Sequence, residues 1–300
     1  MQEIATLGIA TPILLGRPSV IAQKIKQLGL HIQEGRDFEL VDIENNPYFE
    51  ECYKTYHNLL KRKGITPAGA QRKMLHNPTV IGATLLQLGK ADAMLCGLVG
   101  PYASHLSNIK EVIGVQPCVP TPATVNGLVL PTGNLFITDT FVNHNPTAQE
   151  LAEITIMAAN EVSRFGIEPK VALVSHSNFG TFDDPSAVKM REVLRLVKEK
   201  TPDLIIDGEM HCDVALNEKL RQDIMPDSPL KGAANLLVMP NMEAARISLN
   251  LLQGTATPIT VGPILMGMNK PVHILTSASS VRRIINMVAI AAANVEPTCK

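Results

Sequence analysis

Two segments of this 300-residue chain combine side chains that could do chemistry. Ser175–Thr181 is rich in small hydrogen-bond donors and contains His176, a candidate base. Thr276–Ser280 is followed by Arg282 and Arg283, and hydroxyls, helix-start N–H groups and guanidinium groups together favour an anion such as a phosphate. The simpler interpretations are an ordinary polar loop for the first segment and a serine-capped helix with solvated arginines for the second.

A third segment, Asp207–Asp213, carries potential metal ligands at alternate positions: Asp207, Glu209, His211 and Asp213. Alternate side chains of an extended strand lie on one face, which would suit a divalent cation. The simpler interpretation is a strand end that turns into a helix capped by Asp213. We expect no metal, because no second ligand cluster completes the set.

Composition narrows the partners that the chain can have. The 27 basic and 28 acidic residues give a net charge of -1, and aromatic residues make up only 4%. We therefore expect neither nucleic acid nor an anionic membrane as partner. The chain contains no dinucleotide-binding G-x-G-x-x-G after a strand, no P-loop, no nucleophile elbow and no H-E-x-x-H.

Cysteine usage and hydropathy bear on the compartment. The five cysteines are scattered and form no C-x-x-C pair: Cys52, Cys96, Cys118, Cys212 and Cys299. This pattern indicates a reducing compartment rather than a disulfide framework. The N-terminus lacks the pattern of a signal peptide, and no apolar run approaches the ~20 residues that span a bilayer. We expect a cytoplasmic protein.

The elements that must position these segments follow an alternating pattern. Short apolar runs alternate with longer amphipathic runs, which predicts βαβ units around a mainly parallel sheet in an α/β protein. The predicted strands are Pro12–Leu15, Phe38–Ile43, Ala93–Leu98, Leu135–Thr138, Val171–Val174, Leu204–Asp207, Leu236–Met239 and Val272–Leu275. The predicted helices are Ser19–Leu28, Pro47–Arg62, Pro67–Leu75, Pro78–Leu88, Thr147–Phe165, Ser186–Lys200, Met242–Leu252 and Ser279–Ala293.

Two stretches rich in Pro, Thr or Gly interrupt this pattern, Gln116–Thr124 and Gly254–Pro263. If both are crossings between domains, the middle of the chain forms one lobe and the two ends join to form the other. We therefore predict lobe I from residues 1–118 plus 263–300, and lobe II from residues 119–262.

Several separated blocks resemble the phosphate acetyltransferases. Val142–Ile154 is similar to that family's V-N-P-N-P-T-A-E-E-L-A-E-I stretch, and Lys63–Thr66, Ile205–Glu209, Gly262–Gly267 and Lys270–Val272 match further blocks in the same order. Closer still is the resemblance to the C-terminal acetyltransferase-like domain of bacterial NADP-dependent malic enzymes. That resemblance is carried by Ser175–Gly180, Met239–Ser248 and Ser280–Met287.

The resemblance implies a fold of two three-layer αβα lobes with a cleft between them, phosphate acetyltransferase-like and isocitrate/isopropylmalate dehydrogenase-like. It also implies that this chain is the C-terminal part of a longer protein. NADP and a divalent metal would then belong only to the malic-enzyme catalytic domain, which lies outside this chain and acts with it in cis.

The departures from the family concern its catalytic positions. Thr276 stands at the family's serine, Ser277 at its catalytic arginine and Arg283 at its aspartate. Further family arginines correspond to Ser107, Gly254 and Leu60. Loss of one well-placed donor typically costs about 2.7–4 kcal/mol of transition-state stabilisation, so we expect no catalytic residue to remain.

The leading hypothesis is a non-catalytic domain that binds acetyl-CoA as an allosteric ligand and self-associates as a dimer or larger oligomer. The ligand residues that the resemblance implies are Ser175, Ser177, Asn178, Phe179, Gly180, Met266, Gly267, Lys270, Thr276, Ser277, Ser280, Arg282 and Arg283. One alternative is an active phosphate acetyltransferase, with Thr276 at the oxyanion and His176 or His105 as base. The other is a purely structural oligomerisation domain that has lost the ligand.

Overall fold

The computed structural model describes residues 1–295 of the chain. Cys299 and the last part of the predicted lobe I, residues 296–300, lie outside the described residues. The chain divides into two compact units. Unit 1 comprises Met1–Val115 and the chain from Met268 onward, and unit 2 comprises Gln116–Gly267.

The described residues form ten strands and twelve α-helices. The strands are β1 (Ile13–Gly16), β2 (Glu39–Asp42), β3 (Met94–Cys96), β4 (Ala123–Leu130), β5 (Gly133–Thr138), β6 (Lys170–Val174), β7 (Ile205–Met210), β8 (Leu236–Val238), β9 (Ile259–Met266) and β10 (Val272–Ile274). The helices are α1 (Gln2–Thr6), α2 (Pro18–Gln27), α3 (Phe49–Leu60), α4 (Pro67–His76), α5 (Pro78–Gln87), α6 (Tyr102–Val112), α7 (Ala148–Arg164), α8 (Pro185–Lys200), α9 (Cys212–Leu216), α10 (Glu218–Ile224), α11 (Met242–Ala256) and α12 (Val281–Ala293).

Unit 1 contains two separate pairs of parallel strands. Strand β1 pairs with β2, and β10, from the end of the chain, pairs with β3. Helix α5 contacts both β1 and β3, and every residue from Thr79 to Leu86 is buried. This nearly all-apolar helix is therefore the core element of the unit, as expected for a helix that is hydrophobic all round.

Unit 2 is built on one six-stranded sheet with the order β7-β6-β8-β5-β4-β9. Strands β5, β8, β6 and β7 are parallel, and β4 runs antiparallel to both β5 and β9. Ala172 and Val174 of β6 pack in a core cluster with α9 and α11, and Val171 and Leu173 are also fully buried. Both faces of the sheet are thus covered, and the unit has three layers.

Several of the predicted helices begin with side-chain caps. Thr147 and Glu150 form a capping box at the start of α7, in which each side chain accepts a hydrogen bond from the other's backbone N–H. Thr66 and Asn77 cap α4 and α5 ahead of their prolines. Gly166, just after α7, has φ +71°, the left-handed geometry that glycine adopts without steric cost.

Two strands are absent from the prediction. Strand β4 begins within the segment that we interpreted as a crossing, and β9 spans the end of the second such segment. Their Gly, Asn and Pro residues, which are rare in strands, made both look like loops. The units divide at 115/116 and 267/268, whereas the prediction placed the divisions at 118/119 and 262/263. The whole of β9 belongs to unit 2 because it pairs with β4.

The prediction also omitted four short or weakly patterned helices, α1, α6, α9 and α10. Within residues 1–295, no helix combines the length and the apolar character that crossing a membrane requires.

Candidate functional site

The polar loop Ser175–Thr181 follows β6 directly, at the carboxyl edge of the sheet of unit 2. Its centre is not free to contact a ligand. The Ser177 hydroxyl is buried and donates to Glu209 Oε1 at 2.6 Å, and it accepts a hydrogen bond from the N–H of Phe182 at 3.1 Å. The ring of Phe179 packs against the core of the unit. Two of the predicted ligand residues therefore hold the loop in place.

Strand β7 lies beside β6 and supplies the other half of this arrangement. Asn178 Oδ1 accepts from the backbone N–H of His211 at 2.8 Å, and its Nδ2 lies 3.0 Å from His211 Nδ1. His211 Nε2 lies 2.8 Å from the carbonyl oxygen of His176. Because a carbonyl can only accept, Nε2 donates and Nδ1 accepts from the amide of Asn178.

The four alternating residues, of which Asp207 and Glu209 lie in β7 and His211 and Asp213 follow it, do not form a common face. The register of β6 and β7 shifts between Leu173 and Val174, which breaks the alternation beside Gly208 and Glu209. Asp207 accepts from Ser228 at 2.6 Å, whereas Glu209 binds the loop of Ser177. Asp213 does not cap α9 from the N-cap position, which His211 occupies. No group of three or more His, Cys, Asp or Glu within residues 1–295 has the arrangement of a metal site.

His176 and Asp184 form an exposed pair on the same edge. Nε2 of His176 lies 2.7 Å from Asp184 Oδ2, and 56% of the histidine side chain is exposed. Oδ1 of Asp184 accepts from the N–H groups of Ser186 and Ala187 and so caps α8. The carboxylate is thus fixed by the helix start and in turn orients the imidazole.

The last two predicted ligand residues of unit 2, Met266 and Gly267, lie at the end of β9. Met266 is buried. Gly267 has φ +82°, and a Cβ there would lie 2.8 Å from Val119 and 3.3 Å from the sulfur of Met157. Only glycine fits this close approach, so its role in the fold is to let the chain leave the sheet.

The remaining predicted ligand residues lie in unit 1, where β10 ends beside β3. The N–H of Thr276 donates to Ser279 Oγ at 3.2 Å, and Ser280 is the N-cap of α12, accepting from the N–H of Arg283. Ser277 and Arg282 are exposed, and burial lowers the pKa of Arg283. The Lys270 ammonium donates to the carbonyl of Leu86 at the end of α5.

The positions that the resemblance matched to family arginines have different surroundings. Leu60, the last residue of α3, is only 2% exposed and belongs to the core of unit 1. Ser107 and Gly254 are exposed, and a Cβ at Gly254 would meet nothing within 4 Å. His105, considered above as a base, has both ring nitrogens engaged: Nδ1 lies 2.8 Å from Thr79 Oγ1 and Nε2 lies 2.8 Å from the carbonyl of Val99.

Sequence reasoning missed a set of charged residues at the carboxyl edge of unit 2. Asp139, directly after β5, accepts from the backbone and side-chain nitrogens of Asn143 at 3.0 and 2.7 Å. Burial raises the pKa of Asp139 to about 6, against the lowering effect of these hydrogen bonds. A lone acidic residue after a predicted strand was the only signal in the sequence.

Lys189 of α8 is the second missed residue. Its ammonium donates to Asn145 Oδ1, to the carbonyl of Pro146 and to the carbonyl of Pro240, at 2.8, 3.1 and 2.6 Å. It therefore connects the segments that follow β5 and β8. Burial removes water from the ammonium and thereby lowers the pKa of Lys189.

Comparison with known proteins identifies the family. The family described as phosphate acetyl/butaryl transferase matches residues 1–292. The chain belongs to this family. A phosphotransacetylase from Streptococcus pyogenes has a similar structure, with a TM-score of 0.89 and 28% identity over 98% of this chain and 88% of that chain. The α/β fold that the resemblance implied is confirmed.

Within the phosphate acetyl/butaryl transferase family, the similarity is uneven. The chain is 62% identical over 291 residues to an NADP-dependent malic enzyme of Haemophilus influenzae. This match covers 97% of this chain and 38% of that protein. It is 32% identical over 284 residues to a phosphate acetyltransferase of Nitratidesulfovibrio vulgaris, covering 95% and 40%. The chain thus spans about two fifths of these relatives, and the resemblance to part of a malic enzyme is confirmed.

Proposed function

We propose that the chain is a non-catalytic, acetyl-CoA-binding regulatory and oligomerisation domain of a cytoplasmic NADP-dependent malic enzyme. The greater identity to the malic enzyme than to the phosphate acetyltransferase supports this choice between the two relatives. The decarboxylation of malate, with its NADP and divalent metal, would take place in a catalytic domain outside this chain.

The observation that carries the proposal is the composition of the β10–α12 connection. Ser277, at the position of the family's catalytic arginine, is exposed and has no guanidinium group to offer a transferring acyl group. Thr276, at the position of the family's serine, engages Ser279 through its N–H. Acetyl transfer requires a stabilised oxyanion and cationic groups, and this connection has lost the cation that the family places there.

Binding a ligand requires fewer well-placed groups than catalysis does. The exposed Arg282, the half-buried Arg283 and the start of α12 remain in unit 1 as groups that favour a phosphorylated ligand. Regulation would then require that acetyl-CoA bind two global states of the enzyme unequally. A symmetric oligomer can adopt two such states by a change in how its subunits pack.

Titration calorimetry of the 300-residue chain with acetyl-CoA and with CoA tests the binding. We expect a saturable heat of binding. No heat at millimolar ligand would rule out acetyl-CoA binding and favour the hypothesis of a purely structural oligomerisation domain. Sedimentation tests the assembly, because a chain that remains monomeric at micromolar concentration would contradict self-association.

An assay with acetyl phosphate and CoA tests the absence of catalysis. We expect turnover below ~1 per second, the low end of ordinary enzymes. Faster turnover would establish the second candidate function, an active phosphate acetyltransferase with a different catalytic set.

The His176–Asp184 pair is the observation that favours this second candidate. An exposed imidazole oriented by a carboxylate has the geometry of a general base that could deprotonate a thiol. His105 is the weaker choice, since both of its ring nitrogens have partners. If the assay detects turnover, H176A should reduce it at least ~100-fold, the usual contribution of a general base.

A further inference from the structure

Glu209, at the end of β7, is a fully buried carboxylate in unit 2. Its Oε1 accepts three hydrogen bonds: from the Ser177 hydroxyl at 2.6 Å, the N–H of Gly180 at 3.0 Å and Arg191 Nη1 at 3.0 Å. Buried carboxylates are costly unless they are paired and hydrogen-bonded, so this arrangement has to be maintained by a specific fold around it.

Arg191 of α8 joins Glu209 to the end of the loop at Phe182 and Asp183. It donates to the carbonyl of Phe182 at 3.0 Å and to Asp183 Oδ1 at 2.5 Å, in addition to Glu209. One ion pair thereby fixes both ends of the turn from Ser177 to Asp183. The guanidinium fork suits this task because its donors have a fixed relative geometry.

The loop needs such support, because its own backbone is unfavourable. Phe179 has φ +48°, a conformation that is rare for residues other than glycine. Its N–H donates to the carbonyl oxygen of Glu209 at 2.7 Å. A conformation of this kind persists only where the surroundings over-determine it, and such residues cluster at ligand sites.

One acceptor of the network is not used. Glu209 Oε2 is buried and has no hydrogen-bond partner within residues 1–295. An unsatisfied buried acceptor costs free energy, so any tightening of the loop that brings a donor to Oε2 is favoured.

We propose that Glu209 and Arg191 are positioning residues that hold the Ser177–Gly180 loop in the conformation that binds the acyl-CoA. This inference rests on the proposed function. The ion pair itself does not contact the ligand, and Ser177 acts through its bond to Glu209 rather than as a ligand donor. The exposed Gly180 and its neighbours present the backbone that the ligand would meet.

The test compares E209Q with the wild-type chain by titration calorimetry with acetyl-CoA, at a temperature where both are folded by circular dichroism. Gln keeps the shape and one acceptor but removes the charge that pairs with Arg191. We expect the Kd to rise at least 10-fold. The matched control is E199Q, which removes an exposed carboxylate paired with Arg195 and should leave the Kd within 2-fold.

Two further variants keep the test decisive if E209Q does not fold. R191K retains the charge but loses the fork, and it should raise the Kd about 3- to 10-fold. S177A should raise the Kd as well, and S177A combined with E209Q should be no weaker than E209Q alone, because both act on one network.

Hydrogen exchange separates positioning from general stability. In E209Q, exchange should accelerate at least 10-fold in residues 176–182 and remain unchanged in α7. If E209Q lowers only the melting temperature and binds acetyl-CoA with the wild-type Kd, the inference is overturned while the proposed function stands. If the wild-type chain binds no acetyl-CoA, both are overturned.

Discussion

The loops at the carboxyl edge of unit 2 and the segment after β10 in unit 1 are held by different means. In unit 2, Glu209 and Lys189 are charged side chains that bind partners on other elements of the sheet edge. Asp139 accepts from Asn143 in its own loop and, at 3.4 Å, from the N–H of Thr124 on β4. In unit 1, the Thr276–Ser280 segment after β10 is held by hydroxyls whose partners are at most three residues away.

This difference bears on what each unit can contribute to binding. Partners distant in sequence must all be in place before the loops of unit 2 are ordered, so these loops are pre-organised by the fold. A segment held by local bonds rearranges at low cost, as is typical of elements that open locally. We therefore expect the loss of a long-range contact in unit 2 to lower the free energy of unfolding more than the loss of a local contact in unit 1.

The largest expected effect concerns Asp139 and its dependence on pH. Burial raises the pKa of Asp139 from 3.8 to about 6 in the folded protein, so the folded state binds this proton more tightly than the unfolded state. Its contribution to stability is fully present below pH 3.8 and is lost as the pH rises through 6. The loss amounts to about 3 kcal/mol, at 1.36 kcal/mol for each pKa unit.

Urea unfolding of the wild-type chain and D139N from pH 4 to pH 7 measures this effect. The wild-type free energy of unfolding should fall with pH relative to D139N, and the exposed D203N should follow the wild type. If the free energies of unfolding of the wild type and D139N depend on pH in the same way, Asp139 has no raised pKa. That result would also weaken the contrast between the units.

The next effect concerns the Lys189 connection. K189M keeps the aliphatic stem and removes the ammonium that donates to Asn145, Pro146 and Pro240. We expect a loss of about 2 kcal/mol, within the range for hydrogen bonds to charged groups. K198M, an exposed lysine on the same helix, is the control and should change the free energy of unfolding by less than about 0.5 kcal/mol.

Hydrogen exchange after K189M tests the long-range character of this contact. Faster exchange should appear both after β5 and after β8, since the ammonium connects the two segments. An increase confined to α8 would show that the lysine stabilises only its own helix.

The smallest effect belongs to the local contacts of unit 1. S280A removes the N-cap of α12 and should cost about 1 kcal/mol, as is typical for such a cap. The exposed S277A should lie within about 0.5 kcal/mol of the wild type. If S280A costs as much as K189M, the units do not differ in the way described.

The sequence predicted the elements whose signals are local. The predicted helices Pro67–Leu75, Pro78–Leu88 and Thr147–Phe165 are present, and their caps Thr66, Asn77 and Thr147 lie at or next to their first residues in the sequence. Strands β4 and β9 were missed because their pairing outweighs the weak strand propensity of their own residues. Tertiary pairing also decided where unit 2 ends, which the composition had placed a few residues earlier.

The candidate site shows the same division. The sequence alone determined the family, the absence of dinucleotide signatures and the identity of the loops after β6 and β10. Only the tertiary structure decided that Ser177 binds Glu209, 32 residues away, and that Lys189 binds Asn145 and Pro240, 44 and 51 residues away. Periodicity describes a residue's own element, whereas the partner of a buried polar group is set by which elements the fold brings together.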